Sequence, residues 1–333
     1  MTIGEIINHY GEDYTPYIGG LVNHLPMGQL AIYKMTKDLR KVKSFTKSFL
    51  ERNNIDEIKD SYSTINTIEE TVGDRSLYKP CLDILRRELN PENLDNYVND
   101  ILNKYILGLS SGLFHTSIRL AYAIEGIKLD PILISEVERA LSYYITGYRE
   151  SKLFTRQIQG SKIREEMDKL ANDNLVRDIL KDKETLGKKI KAMYSEKDFI
   201  DKGFIIEGDS KDKIMALLDL LIPKYYLTGN FVVLHCITGL HAIIVLKDYF
   251  DDYSLALNIL TTSIIVHLLA IRYNNYGSDI DDFTHISWDA ILNIASDRLD
   301  VHAVKLAYTC FKLDKLYNKK GLKDIAIKRI RHS

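Results

Sequence analysis

Residues 300–308 read Asp-Val-His-Ala-Val-Lys-Leu-Ala-Tyr and place two polar side chains in an otherwise apolar helical pattern. Over 288–310 the apolar residues recur at helical spacing and form one broad stripe. Residues three apart lie on one face of a helix, so His302 and Lys305 point the same way. A lysine with apolar neighbours either extends to water or is buried with a depressed pKa. Burial predicts a chemical role, whereas extension to water predicts only a helical scaffold.

Proline is rare, and this predicts helices along the whole chain. Only six prolines occur, and none lies between 132 and 222 or beyond 223. So few helix breakers, with amphipathic spacing almost everywhere, indicate an all-α protein. We predict one large multi-helix domain over 1–333 with a buried polar or metal site. A charged helical lid or insertion is expected around 151–222, and a basic tail over 314–333 is expected to form a solvated helix.

The composition is that of a globular protein without a basic surface for nucleic acid. Apolar residues make up 45% and charged residues 27%, and the formal net charge is −1, so neither nucleic acid nor an anionic membrane is an expected partner. Cys81, Cys236 and Cys310 form no CxxC pair, which suits a reducing compartment. The most apolar stretch, 255–271, includes Asn, Thr, Ser and His, and therefore predicts a buried helix. Without a signal-like N-terminal segment, the expected localisation is cytoplasmic.

Six of the nine histidines lie in apolar sequence, whereas His9, His285 and His332 have polar or terminal contexts and are expected to face solvent. The six are His24, His115, His235, His241, His267 and His302. Each buried imidazole needs polar partners, and one metal ion would satisfy several at once. The alternative is a set of core histidines with separate hydrogen bonds. No HExxH motif occurs, and His235 and His241 lie roughly 120° apart around a helix, so they need not share a target.

Other reaction classes have weaker support. Residues 108–112, Gly-Leu-Ser-Ser-Gly, match the GxSxG pattern of serine hydrolases, but that turn follows a strand and 102–109 reads as helix. No GxxxxGK[ST] loop and no GxGxxG turn occurs, so neither a P-loop nor a Rossmann cofactor site is predicted. The missing dinucleotide motif also argues against a flavin-based oxygenase.

Four segments resemble the successive motifs of the questin oxidase-like family. They are 17–27 (Tyr-Ile-Gly-Gly-Leu-Val-Asn-His-Leu-Pro-Met), 112–123 (Gly-Leu-Phe-His-Thr-Ser-Ile-Arg-Leu-Ala-Tyr-Ala), 231–239 (Phe-Val-Val-Leu-His-Cys-Ile-Thr-Gly) and 288–305. The resemblance is to a bacterial member and covers about residues 14–313. Fungal members oxidatively open a ring of anthraquinones in polyketide pathways. The resemblance therefore implies an O2-dependent oxidoreductase that cleaves an aromatic or quinone-type substrate.

For the site, the resemblance implies a non-heme Fe²⁺ centre with several histidines and an N-carboxylated lysine. The implied ligands are His24, His115, His235, His302 and Lys305, with His241 or His267 in reserve for His302. Only an uncharged amine attacks CO2, and an apolar site near a cation would depress the pKa of Lys305. The resulting carbamate would be an anionic oxygen ligand for a divalent ion.

Three further residues are candidate catalytic residues. Arg119 follows His115 by one turn, and we expect it to pair with a substrate phenolate or with the carbamate; the alternative is an ordinary surface arginine. Asn23 and Thr238 lie near ligand candidates and are expected to hydrogen-bond to them. Three alternatives stay open: zinc or another divalent metal in place of iron, a metal-free NADPH-dependent Baeyer-Villiger-type oxidase, and a non-catalytic helical interaction protein.

Overall fold

The computed structural model describes residues 1–59, 64–273 and 285–333, and within them the chain is predominantly helical. The α-helices are α1 (Ile3–Asp13), α2 (Leu25–Thr36), α3 (Leu39–Arg52), α4 (Tyr78–Glu88), α5 (Leu94–Lys104), α6 (His115–Ile127), α7 (Ile134–Thr146), α8 (Ile163–Ala171), α9 (Asn174–Leu180), α10 (Leu186–Ser195), α11 (Lys197–Lys202), α12 (Ser210–Thr228), α13 (Phe231–Val245), α14 (Tyr253–Ala270), α15 (Trp288–Ser296), α16 (Val301–Tyr317) and α17 (Leu322–Arg331). Short 3₁₀ helices cover Glu69–Thr71, Arg75–Leu77, Ile106–Gly108, Pro131–Leu133, Gly160–Lys162 and Lys247–Tyr249. The predicted all-α fold is confirmed.

Four short strands form two two-stranded sheets. The strands are β1 (Tyr17–Ile18), β2 (Leu21–Val22), β3 (Arg156–Ile158) and β4 (Phe204–Ile206). β1 and β2 form an antiparallel hairpin, whose turn places Gly19 at φ 55°, a left-handed conformation that favours glycine. β3 and β4 pair in parallel. The hairpin ends just before α2 and so places the start of that helix.

Four helices surround a shared interior. α13 packs against both α6 and α16, and α2 also packs against α6 and α16. α13 is apolar on every side, and its residues 233–244 are all buried, as expected for a helix in the centre of a core. Side chains that point inward from these four helices are therefore close to one another.

Most of the apolar stretch 255–271 lies in α14, which among the described residues is the helix long and apolar enough to cross a membrane by length and composition. Within the fold, 78% of its apolar window is buried. α14 packs against α10, α12 and α13. The predicted buried helix is thus present at this position.

The single apolar stripe expected over 288–310 is interrupted, and this expectation was wrong. α15 ends at Ser296, and α16 begins after Asp300, whose side chain accepts a hydrogen bond from the backbone N–H of His302 (3.0 Å). Leu299, which the stripe included, is 50% exposed. His302 and Lys305 still share one face, because both lie on α16.

The charged region 151–222 contains α8 to α11 and the β3–β4 sheet, and continues into α12. Its helix α10 packs against α14, where the Tyr194 hydroxyl donates to Ser263 Oγ (3.4 Å). That this region acts as a lid stays a prediction.

The tail 314–333 is helical but is not a solvated helix. α17 packs against α12, α15 and α16 and buries Leu322, Ile325 and Ile330. Its basic residues Lys323, Lys328 and Arg329 are half-buried and contact neighbouring segments, beside the apolar inner face. The expectation of a solvated helix was wrong because the apolar residues of this segment recur at helical spacing among its many basic residues.

Candidate metal centre

Four histidines that are distant in sequence meet between α2, α6, α13 and α16. His24 is the N-cap residue of α2, His115 is the first residue of α6, and His235 and His302 lie within α13 and α16. Nε2 of His24 lies 2.8 Å from Nε2 of His115. One ring nitrogen from each of His24, His235 and His302 lies within 4.8 Å of the others. Two nitrogens on opposite sides of one ion are separated by about 4 Å, so the rings of His24, His235 and His302 surround a space of the right size for a metal ion, and His115 adjoins it through its hydrogen bond with His24.

Hydrogen bonds determine which nitrogen of three of these rings faces the centre. Each Nδ1 lies close to an oxygen acceptor: Gly112 O for His115 (2.5 Å), Phe231 O for His235 (2.8 Å) and Asp300 Oδ1 for His302 (3.3 Å). Because these oxygens accept, each Nδ1 donates, and each Nε2 presents a lone pair to the centre. Nε2 of His235 and of His302 is buried without a hydrogen-bond partner among the described residues. Metal-binding imidazoles have this arrangement.

Lys305 follows His302 by one turn of α16 and is fully buried. Its Nζ has no hydrogen-bond partner in the described parts of the chain. Burial lowers the pKa of the amine to about 7. Lys305 is therefore a buried lysine and does not extend to water, which favours a chemical role over a scaffold.

Burial keeps the four imidazoles neutral at neutral pH. It lowers the pKa of His24, His115 and His235 well below the usual value, and it also lowers the pKa of His302. For His24 and His115 the next cause is the positive charge of Lys305, whose amine lies near these rings. Neutral imidazole is the form that binds a metal ion, so no proton has to leave the rings first.

Left-handed backbone immediately precedes His115. Gly112, Leu113 and Phe114 have φ of 57°, 58° and 65° in succession, which is strained at the two residues with a Cβ. This turn brings Gly112 O to Nδ1 of His115. Phe114 packs on Gly239 of α13, where a Cβ would lie 2.7 Å from Phe114 Cγ. Glycine at 239 therefore lets α13 approach α6 until their histidine rings lie 4.3 Å apart between centroids.

A cavity of about 1550 Å³ opens beside the centre, with His24, His115 and His302 in its wall. Most of the remaining wall comes from the β1–β2 hairpin, α3, α10 and the segments 110–113, 149–152 and 299–301, and Arg75, Phe231 and His267 also line it. Ordinary ligand pockets measure roughly 300–1,000 Å³. The cavity is therefore large enough for a polycyclic molecule next to the four rings.

The structure places neither reserve ligand, His241 or His267, in the group of four. The His241 ring meets the edge of the Tyr308 ring, 6.0 Å between centroids. His267 donates from Nδ1 to a backbone carbonyl one turn earlier (2.7 Å), packs on Phe114 and lines the cavity. His235 and His241 therefore have different surroundings, as the angle between two residues six apart on a helix allows.

His241 is expected to make the stability of the fold depend on pH. Burial lowers its pKa to about 4 from 6.5, Glu125 opposes the shift, and Lys312 and Lys34 reinforce it. The unfolded chain then binds a proton that the folded chain does not, so this stability is complete above pH 6.5 and is lost as the pH falls toward 4. In urea unfolding of the metal-free protein from about pH 7.5 to about pH 5, wild type should lose about 2 kcal/mol more than His241→Phe. His9→Phe, at an exposed position, should match wild type; equal losses in all three proteins would contradict the buried neutral imidazole.

Arg119 pairs with Glu136 of α7, and the alternative of an ordinary surface arginine was wrong. It is 2% exposed and so is not a surface arginine. Its Nε and Nη2 donate to the two Glu136 carboxylate oxygens (2.8 and 3.2 Å), and Nε of Arg139 donates to the same carboxylate (2.8 Å). The packing of α6 against α7 gives the guanidinium a protein carboxylate in place of a substrate phenolate or a carbamate. Arg119 therefore joins two helices, its Nη1 has no partner among the described residues, and a catalytic role for it stays a prediction.

Asn23 and Thr238 do not bond to the imidazoles as expected. Asn23 donates from Nδ2 to Thr15 O (3.0 Å) and accepts from the backbone N–H of Leu25 (2.9 Å), so it fixes the chain on both sides of His24. The Thr238 hydroxyl donates to the backbone carbonyl of a ligand candidate one turn earlier on α13 (3.3 Å). Helical geometry satisfies this hydroxyl locally, and its role is to hold the backbone.

Two residues of the centre were not predicted from the sequence. Asp300 accepts from Nδ1 of His302, and the Asp-x-His pattern at a helix start was a usable signal for it. Phe231 supplies the carbonyl for His235, and its ring lies 4.5 Å from the His302 ring between centroids. The four-residue spacing between Phe231 and His235 indicates a carbonyl partner only once the helix is known.

No family model matches the chain, and no curated protein matches it. The resemblance to the questin oxidase-like family therefore stays a prediction. What the site can do chemically rests on its four imidazoles, its buried amine and the adjoining cavity.

Proposed function

We propose that this chain is a cytoplasmic non-heme iron oxygenase of the questin oxidase-like type, which uses O2 to cleave an aromatic or quinone-type ring. The observation that carries the proposal is the convergence of four imidazoles and one buried amine beside a large cavity. A buried nitrogen without a partner is not unique to this centre, since Nε2 of His241 also lacks one among the described residues; what distinguishes the centre is that several such groups converge. Here the inward Nε2 atoms of His235 and His302 and Nζ of Lys305 lack a partner among the described residues.

The residues at the centre fit Fe²⁺. Those that would hold the ion through imidazole nitrogen are His24, His115, His235 and His302. Imidazole is a common ligand of iron, and the outward Nδ1 atoms of three rings are already fixed by acceptors. A cation at the centre would satisfy the inward nitrogens.

Lys305 would complete the set as a carbamate. A pKa of about 7 leaves much of this amine uncharged at neutral pH. The uncharged nitrogen attacks CO2, a C–N bond forms, one proton is released, and an anionic carbamate oxygen results. The described ligand group contains imidazoles and no carboxylate, so the carbamate would supply its hard anionic donor. It would also remove the ammonium charge that repels a cation.

When bound, iron would supply the redox chemistry that activates O2. The chain provides the surroundings for that chemistry. Leu113, Leu186 and Ile190 contribute apolar surface to the cavity, where an aromatic molecule can pack and exclude water. The hydrogen bonds to Nδ1 hold the ligand rings in place, so a substrate in the cavity meets a fixed centre.

The test compares two buried histidines of α13. Wild type, His235→Ala and His241→Ala are purified without oxygen and incubated with Fe²⁺ and bicarbonate, and bound metal is measured after gel filtration. We expect wild type and His241→Ala to retain stoichiometric iron and His235→Ala to lose it. O2 uptake is then recorded with a panel of hydroxyanthraquinones, and only the iron-retaining proteins should consume O2.

Four results would overturn the proposal. Equal iron content in His235→Ala and His241→Ala would show that the four histidines do not bind the metal. A wild-type protein that retains no iron would favour a non-catalytic helical interaction protein. Tight zinc with no O2 uptake under any condition would contradict an oxygenase. NADPH-dependent O2 uptake by the metal-free protein would favour the Baeyer-Villiger-type alternative.

A further inference from the structure

The wall of the cavity carries more positive than negative charge. Its cationic residues are Arg52, Arg75, Arg149, Lys152 and Lys191, and its acidic residues are Glu150 and Asp300. Both acids already have partners: Lys152 Nζ lies 2.8 Å from Glu150 Oε1, and Arg329 of α17 pairs with Asp300. The other four cations form no ion pair with a described residue. The whole chain has a net charge of −1, so this excess is local to the wall.

Arg149 is fixed in position by the backbone around it. Its Nη1 donates to Gly73 O (2.7 Å) and to Tyr148 O (2.6 Å). Its own backbone N–H donates to Ser111 Oγ (2.8 Å), and Ser111 also lines the cavity. These bonds use one edge of the guanidinium. Its remaining N–H groups have no acceptor among the described residues, so they are available to an anion in the cavity.

Arg75 stands on the same wall as Arg149. Its guanidinium lies over the Tyr17 ring, 5.3 Å from the centroid. Burial raises the pKa of the Tyr17 phenol, and the charges of Arg75 and Arg149 oppose that rise, so both guanidinium groups lie near this ring. Asp74, which precedes Arg75, accepts two hydrogen bonds from Ser76 (2.9 and 2.6 Å). The two arginines therefore form a cationic pair beside the β1–β2 hairpin.

The same cavity presents apolar side chains to solvent. Leu21 is 74% exposed, Phe231 is 45% exposed and Leu299 is 50% exposed, and all three line it. Large exposed apolar side chains that are grouped around a cavity usually belong to a binding surface, whereas single exposed ones are common on any protein. With the cationic pair, the wall is complementary to a molecule that has an apolar aromatic body and a negative charge.

We propose that the cavity binds an amphipathic aromatic anion, a molecule whose fused rings carry a carboxylate or an ionised phenol, and that Arg75 and Arg149 bind its anionic group. The inference rests on the proposed function in that it names the substrate class of the same site. Binding of the anion needs no metal. Arg75 and Arg149 act as substrate-binding residues that orient the rings relative to the four histidines.

Metal-free protein allows this inference to be tested apart from the centre. Two fluorescent probes share one aromatic body: 8-anilinonaphthalene-1-sulfonate carries a negative charge, and N-phenyl-1-naphthylamine does not. Each is titrated into wild type, into Arg75→Gln/Arg149→Gln and into Arg87→Gln, an exposed arginine on α4 that does not line the cavity. Thermal unfolding of each protein verifies that all three are folded.

We expect the double variant to bind the anionic probe about tenfold more weakly at low salt, the neutral probe to bind all three proteins alike, and Arg87→Gln to match wild type. Added salt should weaken the binding of the anionic probe and leave the binding of the neutral probe unchanged. Anthraquinone-2-carboxylate should displace the anionic probe better than 2-methylanthraquinone does. The inference would be overturned if the double variant lost affinity equally for both probes, or if Arg87→Gln lost as much affinity for the anionic probe as the double variant does. Iron uptake is a separate readout, so either proposal can fail while the other stands.

Discussion

Lys305→Met is expected to abolish iron binding and, in the metal-free protein, to raise the free energy of unfolding by about 4 kcal/mol. The lysine has a pKa of about 7 when folded, against 10.5 when exposed. At neutral pH the native state must therefore bury a charged amine or give up its proton, and both cost stability. Methionine has a similar length, fills the same volume and has no charge to desolvate. Function and stability oppose each other at this residue.

Lys213→Met is the matched control for this prediction. Lys213 of α12 is also buried, but its Nζ donates to Ser254 Oγ (2.8 Å) and Asn258 Oδ1 (2.7 Å). Replacing it leaves those two groups without their donor and should lower stability while iron binding persists. Urea unfolding gives the stability of each protein, and elemental analysis gives its iron content. Lys305→Met with full iron content, or with lower stability than wild type, would remove the assigned role.

Glu136→Gln is expected to lower the free energy of unfolding by about 3–5 kcal/mol. Its carboxylate accepts hydrogen bonds from Arg119 and Arg139, and all three side chains are at most 2% exposed. An amide at this position leaves the buried guanidinium of Arg119 without a counterion and leaves Arg139 with Glu12 as its remaining carboxylate partner. Glu138→Gln on the same helix is the control: its contact with Arg86 is 3.9 Å long, and its loss should cost less than about 1 kcal/mol. Urea unfolding at neutral pH measures both.

Similar losses in the two variants would show that Arg119 and Arg139 are satisfied in some other way. A second readout links this ion pair to the candidate centre. α6 begins at His115, so loosening α6 from α7 should also weaken iron binding in Glu136→Gln. The control variant Glu138→Gln should bind iron as wild type does.

Part of the candidate site could be predicted from local sequence. The apolar neighbours of Lys305 left burial and extension to water as its two possible environments, and the angular separation of His235 and His241 indicated that they need not share a target. Both arguments need only the geometry of one helix. The all-α fold followed in the same way, from the scarcity of proline and the helical period.

Contacts between distant segments could not be predicted from local sequence. Glu136 lies 17 residues from Arg119 on a different helix, and only the packing of α6 against α7 brings them together. The left-handed turn before His115 is equally hidden, because Leu113 and Phe114 rarely adopt such a conformation. Local strain of this kind persists only where the surrounding tertiary structure holds it.

Asp300 joins the start of α16 to the end of the chain. Its carboxylate accepts from His302 and pairs with Arg329 of α17. His24 comes early in the sequence, while the residues that orient His302 come late, so the centre has one of the longest sequence separations in the fold. During synthesis, the first three histidines leave the ribosome well before α17 does. A nascent or truncated chain that lacks α17 therefore has the four candidate histidines without Arg329, which pairs with the carboxylate that orients His302.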